Sequence, residues 1–416
     1  IFLLVVLSCL LILRRIQRVS AVEALRAGSS EAKSGSARIL PLSAGTALDV
    51  NVFLGMRDVV QRFRFFALLC FIFFFSSCII LLPVHFLSTI NSPGFVSYMG
   101  IGRSDIRIDL RHSKTVEQRY EELLAYVEED EQVERYAPLV TSQFTLIAEN
   151  GERETIAVES GDFSTFPLEY LHGEAPGEKG EIALSYLYSR DMGKDTGDHL
   201  TLLVDGRERR MEVSGIYQDV TDGGRTAKAS LPYNREAVLW YTLSMDLVPG
   251  SDVEQKQAEY AELFYPARVT DMESYIAQTL GNTISQLKMV TAVTIAVGVA
   301  VAVLITSLFL TMLLKKDAPQ IAVMRSIGFS LADLRRRYLS TAATLLIIGV
   351  LAGTLFSNTI GSRLVGLVWG TMGAPQISFV IDPLRAYLLL PLLLFGSVAV
   401  TTLLSMGAVK NHTLLR

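Results

Sequence analysis

The sequence predicts an α-helical polytopic membrane protein with an α+β domain inserted after its first complete span. Hydrophobic residues make up 50% of the 416 positions and are concentrated in a few long runs. Each long run is sufficient to cross a hydrocarbon core of about 30 Å as a helix. A polar segment, residues 91–288, separates the first long run from the others.

The long runs are predicted to be four complete transmembrane helices, at residues 65–90, 289–314, 338–360 and 386–407. The run at residues 1–13 is too short to span. Basic residues follow it at once, and neither an initiating Met nor a basic residue precedes it. We therefore interpret it as the cytoplasmic end of a preceding transmembrane helix rather than as the core of a signal peptide.

The distribution of charge predicts which loops lie in the cytoplasm. Lys and Arg cluster before the first complete span, between the second and third complete spans, and after the last. Short loops rich in Lys and Arg remain in the cytoplasm. Residues 91–288 carry a net charge of about −16, against about +12 for the rest of the chain. We therefore expect a multi-pass protein of the cell membrane whose large domain is extracytoplasmic.

The acidic outer segment has the sequence patterns of a folded α+β domain. Residues 105–111 alternate apolar and polar side chains, which predicts a strand, and residues 115–129 have the periodicity of an amphipathic helix. Residues 198–217 are typical of two strands joined at the turn pair Asp205-Gly206.

The division of the chain follows from these patterns and from an internal echo. The segments that close residues 1–28 and the C-terminus both continue an apolar helix into a basic stretch with Ala-Val and then Leu-Arg, which suggests a repeated unit. We divide the chain into five parts. Residues 1–28 are the end of a preceding unit, and residues 29–48 are a cytoplasmic linker rich in Ser, Ala and Gly. Residues 49–90 are an amphipathic helix and the first complete span, residues 91–288 are the extracytoplasmic domain, and residues 289–416 contain three transmembrane helices. The extracytoplasmic domain ends in a stalk helix at 271–288 that continues into the membrane and could transmit force.

The cytoplasmic segment Lys315–Arg337 carries a helical pattern that a plain connecting loop would not need. Pro319 can open a helix because its missing N–H would be unpaired in the first turn anyway. Gly328 is placed to end the helix, so a short helix is predicted at residues 319–328. Apolar residues recur along it at a three-residue spacing: Ile321, Met324 and Ile327.

This short helix has two interpretations. It could lie on the lipid surface as an interfacial helix, or it could fit a groove on a cytoplasmic partner. The first interpretation predicts that a charge at Ile321 or Met324 is tolerated.

The stretch QIAVMRSIGFSLADLRRRYLSTA resembles the signature of FtsX-like permeases, the MacB-type (type VII) ABC transporter membrane subunits. In that family an acidic-Ile-Ala/Gly-x-Leu-Arg-x-Ile/Leu-Gly-Ala/Phe-Ser pattern forms the coupling helix that docks on the ATPase. Gln320 stands where the family usually has Glu, so the carboxylate for a salt bridge to the ATPase is missing here. The matching residues are Ile321, Ala322, Arg325, Ile327, Gly328 and Ser330.

The resemblance extends over the whole chain. NVFLGMRDVVQRFRFF is similar to the family's amphipathic helix before the first span, and GEIALSYLYSRDMGKDTGDHLTLLVDGRERRMEVSGIY is similar to its outer core domain. The order of spans also agrees, which implies the C-terminal half of a duplicated permease. The resemblance assigns ATPase coupling to Pro319, Gln320, Ile321, Ala322, Met324, Arg325, Ile327, Gly328 and Phe329.

The resemblance also implies partners and cofactors. ATP and Mg would be bound by a separate, dimeric cytoplasmic ATPase, and this chain would hold no cofactor and catalyse no reaction. Further expected partners are a second permease half or copy, membrane lipid and an extracytoplasmic peptide or protein, but no nucleic acid. A transporter of peptides, lipids, lipoproteins or drugs is expected, in the Gram-positive branch that includes antimicrobial peptide resistance. The alternative is a sensor or activator without transport, such as a regulator of cell-wall hydrolases.

Other residues were weighed as candidate sites. The stretch Thr221–Lys228 (TDGGRTAK) lacks the phosphate-loop pattern GxxxxGK[ST], so a mobile loop is predicted. The residues of this loop that could touch a ligand or accessory protein are Gly223, Gly224, Arg225 and Lys228. The cysteines lie in the apolar runs and the histidines are isolated in sequence, so no metal site is predicted.

Within the predicted spans, small residues indicate close helix packing, and charged residues are nearly absent. The absence of charge argues against an ion or proton pathway through this half. The small residues that we expect at helix contacts include Gly298, Gly349 and Gly353.

Overall fold

The computed structural model of the chain describes residues 49–111, 115–148 and 151–413. The predictions for residues 1–28 and 29–48 therefore lie outside the described residues. The helices are α1 (Val50–Gln61), α2 (Phe63–Ile90), α3 (Val116–Glu129), α4 (Tyr186–Met192), α5 (Val253–Leu263), α6 (Met272–Lys316), α7 (Ala318–Ser326), α8 (Leu331–Phe356), α9 (Ser362–Trp369) and α10 (Leu390–Thr413). The strands are β1 (Ile106–Arg111), β2 (Val133–Ile147), β3 (Arg153–Gly161), β4 (Tyr170–Gly173), β5 (Glu181–Ser185), β6 (His199–Val204), β7 (Arg207–Tyr217), β8 (Thr226–Ala229), β9 (Val238–Leu247) and β10 (Arg268–Asp271).

Four helical stretches among the described residues are long and apolar enough to cross a membrane. Each contains one of the predicted spans, so the predicted fold class is confirmed. The stretches are Phe63–Ile90, Met272–Lys316, Leu331–Met372 and Arg385–Gly407.

The third stretch is longer than predicted at both ends. A π-helical turn, Ser357–Gly361, joins α8 to α9 without breaking the helical course, so the apolar helix continues past residue 360. A second π-helical turn, Arg385–Leu389, precedes α10. Such turns accommodate one extra residue in a helix and leave its axis nearly continuous.

The core of the bundle is centred on α2, which packs against both α6 and α8. A Cβ built on Gly298 would lie 2.6 Å from Cγ1 of Ile80, and one on Gly349 would lie 2.6 Å from Cβ of Phe73. A Cβ on Gly353 would meet Cβ of Ser77 at 2.7 Å. The glycines therefore permit the close contacts that were predicted from the sequence.

The outer domain is built on one sheet of ten strands within the described residues, with the order β10-β1-β9-β2-β3-β8-β5-β7-β4. Strand β6 pairs with both β2 and β7, so β2, β3, β8, β5, β7 and β6 form a closed ring. Apolar side chains from these strands fill the ring, among them Phe144, Val158, Leu184, Leu202 and Met211. The predicted turn Asp205-Gly206 joins β6 to β7, with both residues at positive φ, as a tight hairpin requires.

The other end of the sheet forms a second layer with helices. Helices α3 and α5 cover β1, β9 and β2, and the aromatic residues Tyr120, Tyr241 and Tyr260 are buried between them. A third apolar cluster joins the domain to the outer end of the bundle. It contains Phe86 and Ile90 of α2, Phe95, Met272 of α6 and Trp369 of α9.

Candidate functional site

The predicted coupling segment forms a turn that is held in place by contacts with neighbouring helices. We call it the cytoplasmic turn (residues 317–330). Asp317 lies where α6 ends and α7 begins, and it is 7% exposed. Its carboxylate lies 3.4 Å from Nη1 of Arg62 and accepts a hydrogen bond of 3.3 Å from the Tyr338 hydroxyl. Asp317 therefore ties the cytoplasmic end of α6 to the start of α2 and to α8.

The end of α7 is fixed by its backbone. The N–H of Gly328 donates to the carbonyl of Arg325 at 3.1 Å, and the N–H of Phe329 donates to the carbonyl of Met324 at 3.1 Å. This pair of bonds is a Schellman motif, which needs a left-handed residue after the last helical one. Gly328 supplies it with φ of +104°, so its predicted role as helix terminator is confirmed.

Helix α8 begins directly after the turn. The Ser330 side chain accepts a hydrogen bond of 3.2 Å from the Asp333 N–H, and the Asp333 carboxylate accepts one of 3.0 Å from the Ser330 N–H. This capping box satisfies donors that the first turn would leave unpaired. Asn51 of α1 also donates to Asp333 at 3.1 Å, so the turn is fixed from the side as well.

The apolar residues of the turn do not share one face. Ile321 packs against the bundle core, and the Met324 sulfur lies 3.3 Å from Nη1 of Arg337 on α8. Ile327, in contrast, is 73% exposed, and Val323 is 58% exposed. Val323 and Ile327 are therefore the apolar side chains of the turn that are open to contact. The three-residue spacing gave no sign that Ile321 and Met324 turn inward.

The other residues assigned to coupling lie around this pair. Pro319 is in the first turn of α7. Phe329 is half-buried, whereas four are exposed: Pro319, Gln320, Ala322 and Arg325. The sequence analysis missed Asp317, although an acidic residue before a proline at a helix start was a usable signal.

Residues 292–413 match the family model described as FtsX-like permease C-terminal. Over these residues the chain therefore resembles the C-terminal region of FtsX-like permeases, as the sequence predicted. The match covers the part of α6 from residue 292 onward, α7 and the last two transmembrane stretches. No curated protein matches the chain significantly.

Solved structures of three domains are similar to part of this chain. A permease-protein domain from Porphyromonas gingivalis is 14% identical, covers 40% of this chain and 88% of that one, and has a TM-score of 0.27. The periplasmic region of MacB from Actinobacillus actinomycetemcomitans is 13% identical, covering 45% and 96%, with a TM-score of 0.30. The extracellular domain of the noncanonic ABC-type transporter YknZ from Gram-positive bacteria is 12% identical, covering 40% and 100%, with a TM-score of 0.28.

The outer segment Thr221–Lys228 does not form one loop, which corrects the prediction. Lys228 lies on β8, is 6% exposed and pairs with Glu159 of the neighbouring β3. Arg225 points elsewhere, and its Nη2 lies 2.6 Å from the Asp191 carboxylate at the surface. Of the two cations named as candidate ligand contacts, Lys228 is therefore buried in the sheet and Arg225 lies at the surface.

The two glycines of this segment have a backbone role. Gly223 and Gly224 both have positive φ, in the short 3-10 turn Asp222–Gly224. A Cβ on Gly224 would lie 2.7 Å from Leu187, and the Gly224 carbonyl accepts a hydrogen bond of 2.7 Å from the Ser185 hydroxyl. The glycines thus allow the chain to turn closely over β5.

Asp219 is a titratable group in a strongly altered environment beside this turn. It is 4% exposed and accepts hydrogen bonds of 2.6 Å from the hydroxyls of Thr221 and Thr226. Burial raises the pKa of Asp219 to about 6, although these hydrogen bonds and the Lys228 ammonium act in the opposite direction. Buried carboxyls with a pKa near neutral are frequent at functional sites, so this region is a candidate site.

Metal binding finds no support among the described residues. Within residues 49–111, 115–148 and 151–413, no group of three or more His, Cys, Asp or Glu side chains could hold a metal ion.

Proposed function

We propose that this chain is the permease subunit of an ABC transporter and couples ATP hydrolysis by a separate cytoplasmic ABC ATPase to movement of its extracytoplasmic domain. The main support is that two apolar side chains, Val323 and Ile327, are exposed on the cytoplasmic turn. This turn is held in place by contacts with Arg62, Tyr338 and Asn51 of the neighbouring helices. Apolar side chains held rigidly at a surface are favoured contacts for a partner's groove, because little conformational freedom is lost on binding.

The path from this turn to the outer domain is a single element. Helix α6 runs without interruption from Met272, beside β10, to Lys316, which directly precedes the cytoplasmic turn. Its 45 residues span about 68 Å at 1.5 Å per residue. A displacement of the turn would therefore reach the outer domain through one rigid body, which supports mechanical coupling over a transport pathway through the bundle.

The further parts of the proposal come from the family. ATP and Mg would be held by the ATPase dimer, and a second permease half or copy would complete the assembly. The outer domain would act on a peptide, lipid, lipoprotein or drug at the surface of a Gram-positive cell. This chain itself would bind no cofactor.

The test is binding of the ATPase. The full chain, with any sequence that precedes it natively, would be co-expressed with the cytoplasmic ABC ATPase encoded beside it. Val323→Asp and Ile327→Asp should each abolish co-purification in detergent and reduce permease-stimulated ATP hydrolysis at least tenfold, because a buried unpaired charge is costly at an apolar contact.

The matched control is Val248→Asp, which places the same charge on a 41% exposed valine of the outer domain. It should leave binding and hydrolysis unchanged, and all variants should elute as the wild type does in size-exclusion chromatography. Equal ATPase binding by Val323→Asp, Ile327→Asp and the wild type would mean that the turn is only a surface helix on lipid, and the proposal would fail.

A further inference from the structure

A cleft of about 590 Å³ lies in the outer domain, between the sheet and the first turns of the stalk helix α6. We call it the outer cleft. Its volume is in the range of sites for small molecules. One side is closed by Met99, Gly100 and Ile101, which follow shortly after the outer end of α2, so the cleft lies close to the membrane surface. The residues that matter for its chemistry are Arg107, Arg111, Lys228, Trp240, Arg268 and Tyr275.

The carboxylates deep in the outer cleft are already engaged by partners from the protein. Nε of Arg107 donates to Asp109 at 2.9 Å, and the Lys228 ammonium pairs with Glu159. Asp219, as described above, accepts hydrogen bonds from two threonines. These groups have little exposure to solvent, and pairing offsets the free-energy cost of removing their charges from water.

Several donors in the outer cleft, in contrast, are not engaged. Nε of Arg268 is buried and has no hydrogen-bond partner among the described residues. Nη2 of Arg268 makes only a long contact of 3.4 Å with the Thr279 hydroxyl. Arg111 forms no ion pair within about 4 Å with any residue that the structure describes, and Asp222 acts on it only at longer range. A buried donor without a partner is rare enough to call for one.

Arg268 is held in position by an aromatic ring that also contacts Arg107. The Tyr275 ring lies 5.2 Å from the guanidinium of Arg107 and 5.0 Å from that of Arg268, so each arginine is in cation–π contact with it. Stacked guanidinium groups present their N–H groups in a fixed plane, which suits the two oxygens of a carboxylate or phosphate.

We propose that the outer cleft binds an anionic amphiphile, in which a phosphate or carboxylate group is joined to a small apolar body. Arg268 and Arg111 bind the acidic group, and Trp240, Leu239 and Ile101 offer apolar surface to the remainder. Asp222 is the one lining carboxylate without a hydrogen-bond partner among the described residues, and its negative charge acts on Arg107 and Arg111 and so offsets part of the positive charge of the outer cleft. The acidic group could belong to a lipid headgroup of the outer leaflet or to a molecule in solution.

The natural reporter of binding is Trp240, because the sequence holds only two tryptophans. The other is Trp369, which packs 4.7 Å from the Phe86 ring at the domain junction, so Trp369→Phe keeps an aromatic ring there and isolates the Trp240 signal. The full chain in nanodiscs would be titrated with octyl phosphate and octanoate below their micelle concentrations. Octanol serves as the neutral probe of equal length.

Saturable change in Trp240 fluorescence is expected with at least one of the acidic probes and not with octanol. Arg268→Gln and Arg111→Gln should each weaken binding about tenfold or more, because charge-assisted hydrogen bonds are the strong ones. Arg235→Gln, on a side chain that is 78% exposed outside the cleft, should bind as the wild type does. Repeating the titration with and without phosphatidylglycerol in the nanodisc separates the two sources, since a lipid headgroup in the cleft would raise the apparent Kd of the soluble probe.

The proposal is overturned if neither acid gives a saturable signal, if octanol binds as tightly, or if Arg268→Gln binds within twofold of the wild type. Thermal unfolding of each variant shows that a loss of binding is not a loss of fold. No ATPase is present in this experiment, so its outcome is independent of the ATPase-docking test.

Discussion

Asp219 is the residue at which the outer domain, its cleft and the membrane bundle meet. Its side chain lines the outer cleft, and its N–H donates to the carbonyl of Gly373, in the loop between the third and fourth transmembrane stretches, at 3.3 Å. The pKa of about 6 means that the carboxyl changes charge in a range that cells and their surroundings reach. The contact between domain and bundle therefore carries a group that responds to pH.

The first prediction concerns this carboxyl. Its pKa is higher in the folded protein than the value near 3.8 of an ordinary Asp, so the folded state binds the proton more tightly. Stability should therefore fall as pH rises from about 4 to 6 and stay lower above that, by up to about 3 kcal/mol from this group. Asp219→Asn, which mimics the neutral form, should unfold at a higher temperature than the wild type at pH 7.5.

Thermal unfolding of both proteins in detergent, between pH 4 and pH 8, measures this difference. The two curves should converge at pH 4, where the wild-type carboxyl is protonated. A variant that is less stable than the wild type at pH 7.5 would show that the Asp219 carboxylate is stabilised by its threonine partners more than burial disfavours it.

In the candidate sites, contacts between residues far apart in the sequence could not be predicted. Lys228 and Glu159 are 69 positions apart and meet because β3 and β8 pair in parallel. Nothing within the stretch TDGGRTAK indicates that partner. The inward turn of Ile321 likewise depends on the helices that α7 meets, and not on its own periodicity.

At the scale of elements, local signals were the successful predictors. The strand β1, the helix α3 and the Asp205-Gly206 hairpin were predicted because each is determined by the periodicity or turn chemistry of its own residues. The π-helical turn at Ser357–Gly361 was not predicted, since an extra residue in a helix leaves no mark in an apolar stretch. Gly361 lies there against Leu82 of α2, so packing between helices decides its position.

The second prediction compares one substitution at two places on α6. A Cβ on Gly281 would meet nothing within 4 Å, so Gly281→Ala should raise stability by about 1 kcal/mol through the better helix propensity of alanine. Gly298→Ala should lower it by about 1–3 kcal/mol, because its Cβ would overlap Ile80 of α2.

Thermal unfolding of the full chain in detergent checks both signs. Both variants carry the same chemical change on the same helix, so a difference between their stabilities reports the difference in packing around the two glycines. Destabilisation by Gly281→Ala would indicate that the stalk bends at this glycine, and that α6 is not the rigid body on which mechanical coupling relies.

At the scale of the whole molecule, the outer domain is joined to the bundle by α6 and by a second contact near Asp219. The Val220 N–H donates to the carbonyl of Tyr98 at 3.0 Å, and the side-chain oxygen of Gln218 accepts a hydrogen bond of 2.9 Å from the Gln376 N–H. The domain thus holds both the 3-10 turn Pro93–Tyr98, which follows α2, and the loop before α10. Movement carried by α6 would be opposed or redirected at this second contact.

The last prediction tests the second contact directly. Gly373 has φ of +110°, and a Cβ there would lie 1.9 Å from the Asp219 carbonyl oxygen, so Gly373→Ala must separate the loop from the domain. The local cost is about 2 kcal/mol, which should raise amide hydrogen exchange of residues 218–220 and 373–378 about tenfold or more while the sheet core stays protected.

Gly94→Ala is the control in the same junction, since its Cβ would meet nothing within 4 Å. Equal exchange in the two variants would mean that the loop is held by α9 and α10 alone. The contacts that would then hold the outer domain on the bundle include the cluster around Trp369, the Val220–Tyr98 hydrogen bond and the continuous helix α6.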